Sequence, residues 1–335
     1  MTSSARLVLS LVLLALAPLG CGGRASDPDA SRALDDASAS PDAGTSADAN
    51  TSLDDAAADA ATPRDTASGC RPVDAREQLA VPYILRGEPA SDAMTLLDVY
   101  PPPTPGCLRP IVVWVHGGGW SIGDRTNRIA DKIPLVHGLD AIFVSIDYRL
   151  TTAANGVQHP DHVVDVAAAL AWVRAHALEL GGDPERVILL GHSAGAHLVA
   201  LVATNPRFLA THGLAPRDVR CVGSYDTEYT ASEIVMRDAA YEAVFGTDPT
   251  GWEDASPSAH VGPDLPPFQL ACRGSAPRVA QCEDFAAALR GAGNEASIID
   301  ASSLSHEEVN ERIGAAGDTV MTPFVTDFLT HCATH

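Results

Sequence analysis

The run Val187-Ile188-Leu189-Leu190-Gly191-His192-Ser193-Ala194-Gly195 decides how this chain folds. Four apolar residues in a row suit a strand buried on both faces. The pentapeptide Gly-x-Ser-x-Gly follows at once, and residues 194–203 continue with apolar residues at helical spacing. Strand, sharp turn and helix form the setting of a nucleophile elbow, which lifts a serine to the carboxyl end of a sheet. Glycine on both sides of Ser193 removes Cβ atoms from a tight and strained turn.

Outward from this point the pattern repeats. Short apolar runs occur at 111–115, 141–146, 219–222, 268–272 and 297–299, and residues 76–85 and 94–100 read as two more strands joined by a polar turn containing Gly87 and Pro89. Helical spacing fills 162–180, 279–289 and 319–331. Strands alternating with helices predict an α/β fold, a doubly wound and mostly parallel sheet with helices on both faces. Residues 227–266, with Pro249, Pro257, Pro263 and Gly251, interrupt the rhythm and predict an excursion over one end of the sheet.

A second glycine signal precedes the elbow. His116-Gly117-Gly118-Gly119-Trp120 follows the strand at 111–115. Three consecutive glycines sacrifice backbone entropy and need a physical reason. Exposed N–H groups converging on a developing anion supply one, and in acyl transfer the oxyanion donors are worth roughly 3 kcal/mol each. The amides of Gly118, Gly119 and Ala194 are the candidate donors. Trp120 either lines an acyl pocket or covers the loop.

With these residues the chain resembles the α/β-hydrolases of the H-G-G-G-W carboxylesterase type, the feruloyl/acetyl-xylan esterase and kynurenine-formamidase-like group. Asp147-Tyr148-Arg149, His159-Pro160-Asp161 with Asp165, Gly182-Asp183-Pro184-Glu185-Arg186, and Ser305-His306-Glu307-Glu308-Val309-Asn310 match the same group, over about residues 76–331. The resemblance implies an eight-stranded hydrolase fold, a serine nucleophile at Ser193, and no metal or organic cofactor. It implies a small-molecule or glycan ester as substrate, with aryl amides as an alternative. His306, after the last strand, is the candidate base, and the order serine, acid, histidine is the hydrolase order. His116 and His192 read as structural neighbours, and Arg149 with Asp165 as a buried packing pair.

The acid departs from the resembled pattern. Most relatives carry an Asp after the seventh strand, where this chain has Cys272-Arg273-Gly274-Ser275-Ala276-Pro277-Arg278 and no carboxylate. Asp226, after the sixth strand, is the favoured acid. Glu283 or Asp284 on the following helix, and a dyad without an acid, stay open. A retired site on the same fold, serving binding alone, is the rival function.

Composition narrows the partners. The 335 residues carry 22 Lys+Arg against 43 Asp+Glu, a net charge of −21. Such a field opposes nucleic acid, whose phosphates need a basic footprint. It also opposes docking on anionic lipid. Residues 1–21 read as an export signal: Arg6, an apolar stretch at 7–17, then Pro18-Leu19-Gly20-Cys21, which resembles a lipoprotein cleavage site with Cys21 as the lipidated residue. Any membrane attachment is expected through that lipid, placing the protein in the periplasm or on the cell surface; without it, the protein is expected to be secreted. Residues 22–69 hold ten Asp, two Leu and no aromatic residue, a composition expected of a disordered spacer before a hydrolase domain at 70–335. Apart from Cys21, six cysteines remain, an even set that predicts disulfides in an exported chain, with Cys272 and Cys282 the first expected pair. They show no zinc-ligand spacing. No repeat or coiled-coil pattern suggests an oligomer, so a monomer is expected.

Overall fold

A computed structural model describes residues 70–334. The expected export signal, the lipid-accepting Cys21 and the spacer at 22–69 lie outside the described residues.

Eight strands form one sheet: β1 (Gln78–Pro82), β2 (Leu96–Tyr100), β3 (Arg109–Val115), β4 (Ile142–Ile146), β5 (Gly182–His192), β6 (Cys221–Tyr225), β7 (Phe268–Cys272) and β8 (Ala296–Asp300). Their spatial order is β1-β2-β4-β3-β5-β6-β7-β8. β1 and β2 pair antiparallel, as do β2 and β4, and from β4 onward every pairing is parallel. This is the eight-stranded, mostly parallel sheet of an α/β-hydrolase.

The central strands show why apolar runs rather than alternation mark them. On β3, Ile111, Val113 and Val115 enter one hydrophobic cluster, while Val112 and Trp114 enter a second on the other face. Side chains alternate across a strand, so a strand covered on both sides must be apolar at every position. The helix Ala194–Thr204 after β5 is buried along its whole length and packs into the first cluster. The C-terminal helix Thr322–Thr334 gives Val325, Phe328 and Leu329 to the second.

Two expectations shift. β6 starts at Cys221 and runs to Tyr225, later than the apolar run at 219–222. Gly223 and Ser224 break the apolar pattern, yet they pair with Leu190 and Gly191 in mid-sheet, and the Ser224 hydroxyl donates to the Ala196 carbonyl. A polar residue with a buried partner fits a central strand. The connection between β1 and β2 is also more than a turn, since it holds the short helix Pro89–Asp92. The excursion at 227–266 contains three short helices, Ala231–Arg237, Glu242–Phe245 and Pro249–Asp254.

Three disulfides join the cysteines of the described residues: Cys70–Cys107, Cys221–Cys332 and Cys272–Cys282, the last being the expected pair. Cys221–Cys332 spans 111 residues and ties β6 to the C-terminal helix. Loop-closure entropy makes such a long-range bond the most stabilising of the three. The double variant Cys221→Ala/Cys332→Ala should lose about 4 kcal/mol of unfolding free energy, read from its urea midpoint. An unchanged midpoint would contradict this.

Candidate active site

The site is built on the carboxyl ends of β3, β5, β6 and β8. Ser193 follows β5 with φ of 56° and ψ of −121°, the strained conformation of a residue on a sharp turn. The flanking glycines are fixed by contact. A Cβ on Gly191 would lie 2.5 Å from the Gly195 backbone, and one on Gly195 would lie 2.1 Å from the Val115 carbonyl oxygen. The turn therefore fits only while both positions lack side chains.

The glycine loop after β3 lies against this turn. A Cβ on Gly117 would come within 3.0 Å of the Ser193 Cβ. Gly118 has φ of +115°, and a Cβ there would meet the Ile122 carbonyl oxygen at 2.0 Å. The Gly118 carbonyl accepts from the amides of Ser121 and Ile122, which curls the loop back on itself. Among the described residues, the amides of Gly118, Gly119 and Ala194 donate to no partner. Unsatisfied N–H groups held beside a serine hydroxyl suit an anionic ligand atom.

The three expected relay residues meet. His306 Nε2 lies 2.9 Å from Ser193 Oγ, and His306 Nδ1 lies 2.6 Å from Asp226 Oδ2. His306 opens the short helix His306–Glu311, whose capping box pairs Ser305 with Glu308. The box fixes where the helix starts and so where the imidazole stands. Asp226 is buried just past β6, at φ of 59°. Glu283 and Asp284 are exposed on the helix Ala276–Gly291, and Asp226 occupies the Nδ1 position either would need.

Asp226 has two further partners, and neither was assigned a role from sequence. Arg273 Nη1 donates to Oδ2 at 2.8 Å, and Arg278 Nη2 donates to Oδ1 at 2.7 Å. Burial by itself raises the carboxyl pKa. The hydrogen bond from His306 and the two guanidiniums outweigh it and hold the group at about 2. An ionised carboxylate only accepts, so His306 Nδ1 carries the proton and Nε2 presents its lone pair to the Ser193 hydroxyl. The readable signal was a loop with two arginines where a carboxylate is usual.

His116 and His192 stand beside the relay as structural groups. Burial pushes His116 down to about 4 and His192 to about 3, so both rings are neutral near pH 7. His116 stacks on Tyr148 with ring centroids 4.5 Å apart. His192 Nε2 donates to the His306 carbonyl at 2.9 Å and so braces the loop that carries His306. His192, Asp226 and His306 bring one ligand-capable atom each within 4.8 Å of one another. Both ring nitrogens of His306 already face Asp226 and Ser193, which suits a proton relay better than an ion. Trp120 is buried edge-on against His197, Tyr241 and Phe245. Arg149 and Asp165 form the expected buried pair, Nε to Oδ2 at 2.8 Å.

The BD-FAE family model matches residues 97–284, more than half of the chain. The chain belongs to the BD-FAE family. The matched stretch holds the glycine loop, the elbow and Asp226, and ends before His306. Among relatives, esterase LipQ of Mycobacterium tuberculosis is 32% identical over 214 residues, which cover 59% of this chain and 50% of that one. Carboxylesterase NlhH of the same organism is 44% identical over 107 residues, 31% of this chain and 32% of its own. This BD-FAE chain thus spans half or less of the length of these curated relatives. A truncated carbohydrate esterase from gut microbiota shares the fold, with a TM-score of 0.65 and 19% identity over 78% of this chain and 97% of that one.

Proposed function

We propose that the protein is a serine esterase that hydrolyses carboxylic esters through an acyl-enzyme on Ser193. One observation carries the reading: Ser193 Oγ, His306 and Asp226 form an unbroken relay beside three unpartnered amides. Relatives named esterase and carboxylesterase support it.

In the first half-reaction Ser193 Oγ attacks the ester carbonyl carbon while His306 Nε2 takes the hydroxyl proton. Negative charge gathers on the carbonyl oxygen, where the amides of Gly118, Gly119 and Ala194 can receive it. The tetrahedral intermediate collapses, the C–O bond to the alcohol breaks, and His306 returns the proton to the departing oxygen. Water then repeats the sequence on the acyl-enzyme: His306 removes its proton, the acid leaves, and Ser193 regains its hydrogen. Asp226 stays ionised throughout and offsets the imidazolium charge.

Acetyl or feruloyl esters of glycans are the substrate class to test first, in keeping with the carbohydrate esterase neighbour. Export is part of the same reading, supported by three disulfides. Among the described residues no helix is long and apolar enough to cross a membrane.

The test is hydrolysis of p-nitrophenyl acetate and of an acetylated xylo-oligosaccharide by the oxidised protein, beside Gly118→Ala. The parent should turn over the first substrate. The variant should lose about 10² to 10³ in kcat, because a Cβ at Gly118 displaces the loop that carries two of the amides. A folded parent that hydrolyses no ester, or a variant with parental kcat, contradicts the reading.

A further inference from the structure

The loop after β7 has no carboxylate, yet it reaches the relay by other means. Arg273 donates from Nη1 to Asp226 Oδ2 at 2.8 Å and from Nε to the Leu304 carbonyl at 3.1 Å. It therefore ties the acid to the loop that leads into His306. Arg278 donates from Nη2 to Asp226 Oδ1 at 2.7 Å and to the Asp226 carbonyl at 3.2 Å, and from Nη1 to Glu228 Oε1 at 2.6 Å. Glu228 is in turn paired with Arg237. Between the two arginines Gly274 sits at φ of +101°, and a Cβ there would lie 2.9 Å from the Arg278 side chain. The Cys272–Cys282 disulfide closes the segment that holds both arginines. Cys272 ends β7 and Cys282 lies in the helix Ala276–Gly291, both buried.

We propose that Arg273 and Arg278, presented on a loop stapled by Cys272–Cys282, are positioning residues that hold Asp226 against His306. The proposal rests on the esterase reading of the relay. Its physical basis is twofold. First, Asp226 lies at a left-handed backbone position on a loop, and its carboxylate needs anchors to stay in line with Nδ1. Two guanidiniums approaching from the next strand end supply fixed, charge-assisted ones. Second, the arginines pair with the buried charge of the carboxylate, which helps keep Asp226 ionised and accepting from Nδ1.

The other charged groups near His306 differ in kind. His192 is buried and neutral at 4.6 Å between ring centroids. Glu307 and Glu308 lie on its own helix, paired with Arg128 and Arg312 respectively. Lys132 donates to the Asn310 carbonyl on the same helix. Arg273 and Arg278 alone act on the ring through Asp226 itself.

The experiment compares the oxidised parent with Arg278→Gln, Arg278→Lys, Arg273→Gln and Cys272→Ala/Cys282→Ala. It records kcat and KM for p-nitrophenyl acetate from pH 5 to 9. It also records the rate at which a fluorophosphonate labels Ser193 and the thermal midpoint of each variant. Arg278→Gln should lose between about tenfold and a hundredfold in kcat with KM little changed, as for a misplaced catalytic group. Arg278→Lys should recover only part of kcat, since ammonium keeps the charge without the fork. The disulfide variant should lose kcat at temperatures well below its own melting midpoint. Parental kcat in folded Arg278→Gln, or a raised KM with kcat unchanged, would overturn the proposal. So would a loss of kcat that Arg278→Lys does not partly recover. If Arg278→Gln does not fold, Arg273→Gln and Arg278→Lys decide by the same two readouts. The labelling rate needs no ester. A parent that labels but hydrolyses nothing therefore sinks the esterase reading, while the labelling profile still judges the arginines.

Discussion

Replacing Ser193 by alanine should reduce ester turnover by a factor on the order of 10⁶, to the background set by the remaining site. Among the described residues, no other hydroxyl or thiol contacts the His306 ring. Ser193 Oγ is the group that faces His306 Nε2, and the Ser193 amide is already bound to the Tyr225 carbonyl. The substitution keeps that amide bond and keeps the φ of 56°, which is as strained for alanine as for serine. The thermal midpoint should therefore stay near that of the parent while activity vanishes. Two readouts separate chemistry from damage. The parent should gain the mass of one fluorophosphonate adduct on the peptide that contains Ser193, and the variant should gain none. Residual kcat within tenfold of the parent would mean that another nucleophile, or a contaminant, performs the reaction. Such a result would exclude an acyl-enzyme on Ser193.

The strand and elbow at 187–195 were legible because their physics is local. A fully buried strand must be apolar on both faces, and a turn this tight admits only glycine at its flanks, so both leave a mark in consecutive residues. The same holds for Gly118, where a positive φ and the Ile122 carbonyl exclude any Cβ. The extent of β6 was less legible, because Gly223 and Ser224 look like the end of a strand until their neighbours in the sheet are known. The proposed acid was the least legible. Its identity depends on which strand ends lie side by side, and β6, β7 and β8 become neighbours only through the sheet order. Asp226 could be favoured from sequence because it follows a strand, but nothing local sets it above Glu283 or Asp284. Arg273 and Arg278 were visible as residues and mute as partners. A salt link across 47 or 52 residues has no periodic signature. The absence of a carboxylate after β7 was the visible half of the exchange, and the two arginines in its place are the other half.

Asp226→Asn tests that exchange most sharply, and kcat should fall by about 10⁴. The reason is the tautomer. As an ionised acceptor, Asp226 obliges His306 to carry its proton on Nδ1, which leaves Nε2 free to accept from Ser193. Asparagine offers one oxygen and one amide nitrogen. Both carboxylate oxygens now accept from arginine, Oδ2 from Arg273 and Oδ1 from Arg278. Wherever the new NH₂ points, it faces a guanidinium donor. At the Oδ2 position it also faces His306, whose Nδ1 must then accept, moving the proton to Nε2 and disabling the base. At the Oδ1 position it opposes Arg278, which keeps only Glu228 as a charged partner. The variant should also be less stable near pH 7, by about 3 kcal/mol, since an ion pair with a buried carboxylate loses one member. The pH dependence separates this loss from general damage. Asp226 has a folded-state pKa of about 2, below its ordinary value of 3.8. Its ionised form thus stabilises the parent fully above about pH 4, and that contribution is lost as pH falls through 2. The asparagine variant has no such group. The stability gap between parent and variant should therefore close as the pH drops from 4 toward 2, read from urea midpoints across that range. Activity within tenfold of the parent at pH 7 would place the acid elsewhere, and Glu283→Gln would then be the variant to measure.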